Sequence, residues 1–207
     1  MVKTLFLKQT KGSALCPVES LRFSRAGIDG NEPCSPLRQI LILPRSTLDD
    51  LALQPGQLRE NVVLEHPGLH ELESGTELMI GAARIRLTFH CEPCGRVVDK
   101  ARASALMHKR GYLGQFLNDG TIRLGDSVES LGVLHEPIPY ASKDRIRWSL
   151  ERRSEPITAA TLLFECGVPV GYARALPRYL ATFPLSLAEL VRFECRSKAR
   201  ETQPQMF

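Results

Sequence analysis

No stretch of this 207-residue chain approaches the roughly 20 consecutive apolar residues that a bilayer-spanning helix requires. The amino-terminal apolar patch is short, and Lys8 and Lys11 interrupt it before a signal-peptide core could form. A soluble, cytoplasmic protein without a membrane partner is the expectation. Cysteine is sparse: six residues, at 16, 34, 91, 94, 166 and 195, are spread over the whole length. That spacing excludes a disulfide scaffold and suits a reducing compartment. Cys16, Cys34, Cys166 and Cys195 read as plain buried thiols. There is no Gly-x-Ser-x-Gly nucleophile signature, and the five histidines form no hydrolase constellation. Internal repeats and low-complexity segments are also missing.

What is present is a hydrophobic content of 43%, enough to exclude a mostly disordered chain. The net charge of +4 is unevenly placed. Residues 1–140 hold 16 Lys and Arg against 16 Asp and Glu, whereas residues 141–207 hold 11 against 7. A neutral body is thus followed by a basic segment, which suits either a solvated surface or an anionic partner.

The chain is organised around Leu78 to Arg96, LMIGAARIRLTFHCEPCGR. Alternating apolar residues from Ile80 to Phe89 predict a half-buried strand, and Glu92-Pro93 with Gly95 predicts the turn that stops it. Cys91 and Cys94 are delivered to that exit. A thiol there is held firmly yet stays reachable. A zinc reading of Cys91-x-x-Cys94 needs a second ligand pair, and Pro67-Gly68 breaks any helix aligning His66 with His70. A dithiol switch lacks the βαβ surroundings that such motifs have.

Other strands are predicted over Val2–Lys8, Val18–Phe23, Gln39–Leu43, Arg59–Leu64, Tyr112–Leu117, Thr121–Leu124 and Val128–Leu134. Asn118-Asp119-Gly120 reads as a hairpin turn. Short helices are expected over Thr47–Leu53 and Val98–Lys109. Short strands with turns every 8–12 residues predict a mainly antiparallel, closed β-barrel over residues 1–136. After Pro137-Ile-Pro139 the pattern turns helical, over Lys143–Arg152, Ile157–Cys166 and Val170–Thr182, with a fourth element in Leu185–Cys195. Residues 137–207 are therefore expected to form a small helical module.

Taken in order, the body's motifs resemble the MOSC domain, named after the C-terminal domain of molybdenum cofactor sulfurases. They are Gly27-Ile-Asp-Gly-Asn31, Arg38 before Ile40-Leu-Ile-Leu43, Pro55-Gly56 with Glu60-Asn61, Leu72-Glu-Ser-Gly75-Thr-Glu-Leu78-Met-Ile80-Gly81, Cys91-Glu-Pro-Cys94-Gly-Arg96, Arg110-Gly111, and Gly120-Thr-Ile122-Arg-Leu-Gly125-Asp126. The resemblance covers about Val2 to Leu134. It implies a barrel that binds molybdenum–pterin cofactor (molybdopterin) or carries sulfur. Cys94 is the implied metal ligand or persulfide site, and Arg38, Asn61, Arg96 and Arg110 are the implied cofactor-binding residues. The chemistry is coherent, since a thiolate suits a sulfur-rich metal and arginines offer planar bidentate donors to phosphate. Relatives reduce N-hydroxylated substrates with electrons from a partner, and this chain has no flavin or iron–sulfur motif of its own. An electron-donor protein is thus an implied partner. Asn31 stands where the family usually has an acid.

Ile157 to Pro184 resembles the DNA-binding part of methylguanine-DNA alkyltransferases and alkyltransferase-like proteins. The match rests on Gly167-Val-Pro169, Tyr172-Ala-Arg174-Ala-Leu176 and Phe183-Pro184. It implies a helix-turn-helix-like module with DNA as partner, Arg174 and Arg178 lying one turn apart on the reading helix. The Pro-Cys-His-Arg nucleophile motif of that family is absent, which excludes alkyl transfer. The alternative for this segment is a helical cap packing through Leu162, Leu163, Leu176 and Leu180.

Overall fold

The computed structural model describes residues 1–10 and 12–193; Cys195 lies outside them. The strands are β1 (Val2–Leu7), β2 (Cys16–Val18), β3 (Ser20–Ser24), β4 (Gly27–Ile28), β5 (Ile40–Pro44), β6 (Val62–Leu64), β7 (Thr76–Ile80), β8 (Ala83–His90), β9 (Tyr112–Phe116), β10 (Gly120–Arg123), β11 (Val128–Leu134), β12 (Ile157–Thr158) and β13 (Val191–Arg192). The helices are α1 (Arg45–Asp50), α2 (Ala103–Leu106), α3 (Ser142–Leu150), α4 (Ala159–Glu165), α5 (Leu176–Leu180) and α6 (Leu185–Ala188), with 3-10 turns at Pro67–Glu71 and Val170–Arg174. None of the described helices is long and apolar enough to cross a membrane.

The main sheet has eight strands in the order β11-β7-β8-β9-β5-β6-β1-β2. Its end strands β11 and β2 do not pair with each other, so the sheet curls into a half-barrel and the expected closed barrel is not formed. A separate sheet has the order β10-β3-β4, so β10 pairs with β3 and not with β9. The reason lies at Asn118 and Asp119. Asn118 accepts from the Arg84 amide at 2.8 Å and donates to the Ala82 carbonyl at 2.8 Å, while Asp119 accepts from the Arg25 amide at 2.8 Å. These bonds direct the chain toward β3, and the predicted hairpin between β9 and β10 does not occur. The sheet is mixed, because β5 runs parallel to β6.

β5 is buried on both faces, as its unbroken apolar run requires. Ile40 and Ile42 enter the large inner core with Leu87 and Phe116. Leu41 joins an outer cluster with Leu37, Phe89, Cys91, Leu113 and Ile138, and Leu43 joins another with Leu48, Val97 and Leu106. β8 reaches the outer cluster by a bulge. Leu87 pairs with Gly114 but His90 pairs with Tyr112, so β8 carries one extra residue there. Ala83, Ile85 and Leu87 line the inner core, whereas Phe89 and Cys91 face outward to the cluster of Leu37 and Leu41. Thr88, within the bulge, donates to the Leu37 carbonyl at 2.7 Å.

The predicted helix over 98–109 shrinks to α2. Of the apolar residues from 97 to 109 only Val97 and Leu106 are buried, which leaves too narrow an apolar stripe to hold three helical turns. After residue 137, α3 forms close to its expected position, and Thr158 caps α4 by accepting from the Thr161 amide. The single helix expected over Val170–Thr182 is broken. Pro177 would sit in its interior, where proline removes a hydrogen bond and clashes with the preceding turn. Instead the chain forms a 3-10 turn ending at Arg174, and Pro177 lies in the first turn of the five-residue α5. A helix-turn-helix module is therefore not formed. Leu162, Leu163, Leu176 and Leu180 pack with Ile146, Leu150 and Val191 in a cluster of their own. Contact with the sheet is made by Ile138, Tyr140 and Trp148.

Candidate functional site

The exit of β8 splits the two cysteines by environment. Cys91 is 2% exposed, and its amide donates to the Gly111 carbonyl at 2.9 Å. Cys94 is exposed. The carbonyl of Cys94 accepts from the Val97 amide at 3.0 Å, and buried Val97 anchors the far side of the turn. Arg110, only 4% exposed, reaches the turn from below. Its Nη1 donates to the Glu92 carbonyl at 2.6 Å and lies 3.2 Å from Cys94 Sγ, while Nη2 donates to the Leu58 carbonyl at 3.4 Å. Gly111 follows at φ 94°, and a Cβ there would meet the Ile42 carbonyl oxygen at 2.4 Å. Close passage of the backbone beneath β5 is what brings Arg110 under the cysteine turn.

More cationic groups converge nearby. Lys8, at the end of β1, donates through Nζ to Asn61 Oδ1 at 2.8 Å. Its ammonium is lowered to about 8, first by burial; the Arg59 and Arg110 charges push the same way, opposed by Cys91 and Glu32. Arg59 has a φ of 63° and donates through Nη1 to the Ser13 carbonyl at 2.9 Å. Arg59 Nη2 and Arg110 Nε are buried without a partner among the described residues. Buried donors left without an acceptor are costly, so two such atoms in one basic neighbourhood mark a place for an anionic acceptor. Cys34 is half-buried, and burial raises its thiol despite the opposing charge of Lys8.

The residues expected from sequence fall into two groups. Cys94 and Arg110 are in direct contact. Arg96 is exposed and reaches Glu32 at 3.4 Å. Arg38 turns toward the C-terminal segment, donating from Nη1 to Glu92 Oε2 at 3.0 Å and to the Gly167 carbonyl at 2.9 Å. Asn61 is 1% exposed; its Oδ1 accepts from Lys8 and from the Leu41 amide, and its Nδ2 donates to the Phe6 carbonyl. Asn31 accepts from the Lys8 amide at 2.7 Å, so the residue that departs from the family pattern holds the lysine's backbone. Arg174 and Arg178 are exposed on separate elements, and no hydrogen bond or ion pair among the described residues links them to Cys94.

Sequence reasoning missed Lys8, Arg59, Glu92 and Arg145. Lys8 and Arg59 carried a signal, since each flanks a residue already singled out in space or in sequence. Arg145 carried none: it lies in a helix among other arginines, and only the structure shows it fully buried.

Residues 29–129 match the family model of the MOSC domain. Over these residues the chain is similar to the MOSC domain. The match begins just after β4, runs from β5 to the start of β11 and takes in Cys94, Arg110, Arg38, Asn61 and Arg59. Solved structures agree on the fold. YuaD from Bacillus subtilis is similar with a TM-score of 0.56 at 17% identity, over 65% of this chain and 96% of that one. YiiM from Escherichia coli has a TM-score of 0.52 at 16% identity, over 88% and 94%. YiiM from Geobacillus stearothermophilus has a TM-score of 0.51 at 13% identity, over 86% and 99%. No curated protein matches the chain in sequence. The alkyltransferase resemblance of the C-terminal segment finds no support in these matches.

Proposed function

We propose that this MOSC-like domain binds a molybdenum–pterin cofactor, or carries sulfur, at Cys94, as a reductase or sulfur-transfer component. The observation that carries this reading is the exposed Cys94 thiol 3.2 Å from a buried guanidinium of Arg110. A guanidinium at that distance can donate to the sulfur while it ligates metal or carries sulfur.

The residues present fit such a group. Among the described residues no group of three or more His, Cys, Asp and Glu could hold a metal ion. A lone thiolate therefore suits a metal that arrives with most of its ligands already attached. The unpartnered Arg59 Nη2 and Arg110 Nε, with Lys8 beside them, suit an anionic group such as the cofactor's phosphate. In this reading Cys94 supplies the protein ligand, and Arg110, Arg59 and Lys8 bind and orient the anion. Arg96 forms the exposed rim, where its pairing with Glu32 is weak enough to exchange. Arg38 and Asn61 shape the wall, because their donors are already engaged inside the protein. Bound there, the cofactor supplies redox chemistry suited to N-hydroxylated substrates, and a separate donor protein supplies the electrons.

Elemental analysis and a labile-sulfur assay on protein from a cofactor-competent host test this reading. Molybdenum or labile sulfur in the wild type, lost in Cys94→Ala, supports it. Absence of both from the wild type overturns it.

A further inference from the structure

Glu92 lies between the two cysteines and uses each of its polar ends differently. Its carboxylate takes Arg38 Nη1 on Oε2 at 3.0 Å and Arg145 Nη2 on Oε1 at 2.6 Å. Its backbone carbonyl takes Arg110 Nη1 at 2.6 Å, the same nitrogen that touches Cys94 Sγ. The seat of the thiol is therefore tied through one residue to Arg145. That arginine belongs to α3, beyond the end of the MOSC match.

Arg145 is built to hold still. It is 0% exposed and donates through Nε to the Cys166 carbonyl at 3.0 Å and through Nη1 to the carbonyls of Pro139 and Tyr140. Arg38 makes the parallel connection, donating to the Gly167 carbonyl. Gly167 has a φ of 63°, and a Cβ there would lie 2.7 Å from Arg38 Cδ, so the two segments approach as closely as glycine allows. A fully buried arginine that makes four carbonyl and carboxylate contacts is costly to assemble, and loses its compensation when any one partner moves.

We propose that Arg145 and Glu92 are positioning residues for the Cys94 thiol, through which the C-terminal segment sets that thiol's reactivity. Held from above by Arg145 and Arg38, Glu92 keeps its carbonyl on Arg110 Nη1, and Arg110 keeps its guanidinium beside Cys94. Loosening Glu92 moves Arg110 away from the thiol, and the sulfur loses the cationic partner that lies 3.2 Å from it. The inference rests on Cys94 being the working thiol of the proposed function, but not on what that thiol carries.

The test is the rate of Cys94 alkylation by iodoacetamide at pH 7, followed by peptide mass spectrometry. The full chain is made in a host unable to synthesise the cofactor and is reduced beforehand. Cys16, whose sulfur touches neither Arg38 nor Glu92, serves as an internal reference, and thermal unfolding is read on each variant. Glu92→Gln and Arg145→Lys are expected each to slow Cys94 by about tenfold, with Cys16 unchanged. Charge acting without positioning predicts otherwise. Removing the Glu92 charge would then speed Cys94, and Arg145→Lys, which keeps the charge, would leave the rate alone. Either result overturns the proposal. Should Arg145→Lys fail to fold, Glu92→Gln decides, since Glu92 keeps its backbone and is partly exposed. Molybdenum and labile-sulfur contents, measured separately on protein from the competent host, report on the cofactor reading, so the two can fail independently.

Discussion

The guanidinium of Arg145 lies over the ring of Phe89, with Cζ 3.7 Å from the ring centroid. Stacking in a dry site adds a cation–π contact to the arginine's hydrogen bonds. Arg145→Met keeps much of the volume but leaves Glu92 with one cationic partner and strands the Cys166 carbonyl. A loss of about 3 kcal/mol is expected, in the range for breaking a buried ion pair. Urea unfolding of the variant checks it; an unchanged midpoint would show that the stack and the pair are not coupled to folding.

Gly111→Ala is expected to be far more damaging than its size suggests. The residue sits at φ 94°, and the added Cβ would meet the Ile42 carbonyl oxygen at 2.4 Å. Strain and clash together should cost about 2 kcal/mol or more. Since Arg110 is the neighbouring residue, Cys94 alkylation should change in the same variant, whereas Gly95→Ala, where a Cβ meets nothing within 4 Å, should leave stability unaltered.

The paired cysteines should separate in a stability assay. Cys94→Ser alters an exposed side chain and should shift unfolding by less than about 0.5 kcal/mol. Cys91→Ser places a hydroxyl in the apolar cluster of Phe89 and Ile138 and should cost about 1–2 kcal/mol. Equal effects would mean that the two thiols are not in different environments.

Acid sensitivity is expected from the histidine row. His70 is lowered to about 4, first by burial and then by the charges of His90 and Lys109. Its Nε2 lies 2.9 Å from Thr47 Oγ1, and its Nδ1 is buried without a partner among the described residues. The folded state thus takes up the His70 proton less readily than the unfolded chain, whose histidines titrate near 6.5. Between pH 6.5 and about 4 the unfolded state binds more protons, so stability rises with pH there and is lost on acidification. A loss of about 2 kcal/mol across that window is expected, and His70→Gln should flatten it in denaturation curves taken at several pH values.

Much of the sheet was legible because its strands carry local signals. β5 reads as an unbroken apolar run and β8 as an alternating one, although the run expected from Ile80 splits at Gly81-Ala82, where β7 ends and a tight hairpin leads into β8. The cysteine turn was legible for the same reason, as Pro93 and Gly95 punctuate a strong strand. Pairing partners were not. Whether β10 returns to β9 or crosses to β3 is decided by the side chains of Asn118 and Asp119 meeting backbone amides 34 and 94 residues away. The fate of 170–182 was readable and misread, because Pro177 stands in plain view within the supposed helix. For the site, Cys94 and Arg110 sit on motifs, but the assignments of Arg38 and Asn61 came from motif order, which does not tell which donors the fold has already engaged.

The extra residue of β8 between Leu87 and His90 acts as a reading-frame device written in space. Side chains on a strand alternate with a strict period of two, so one added residue exchanges inside for outside for everything downstream. Were the same residues paired regularly, without the bulge, Phe89 would oppose Tyr112 on the face of Leu87, and the exit of the strand would swing with it. The chemistry proposed for Cys94 thus depends on a one-residue offset upstream of it. A chain with the same Cys-Glu-Pro-Cys lettering and the same count through β8, but a regular ladder there, would spell the motif and present it to the wrong side of the sheet.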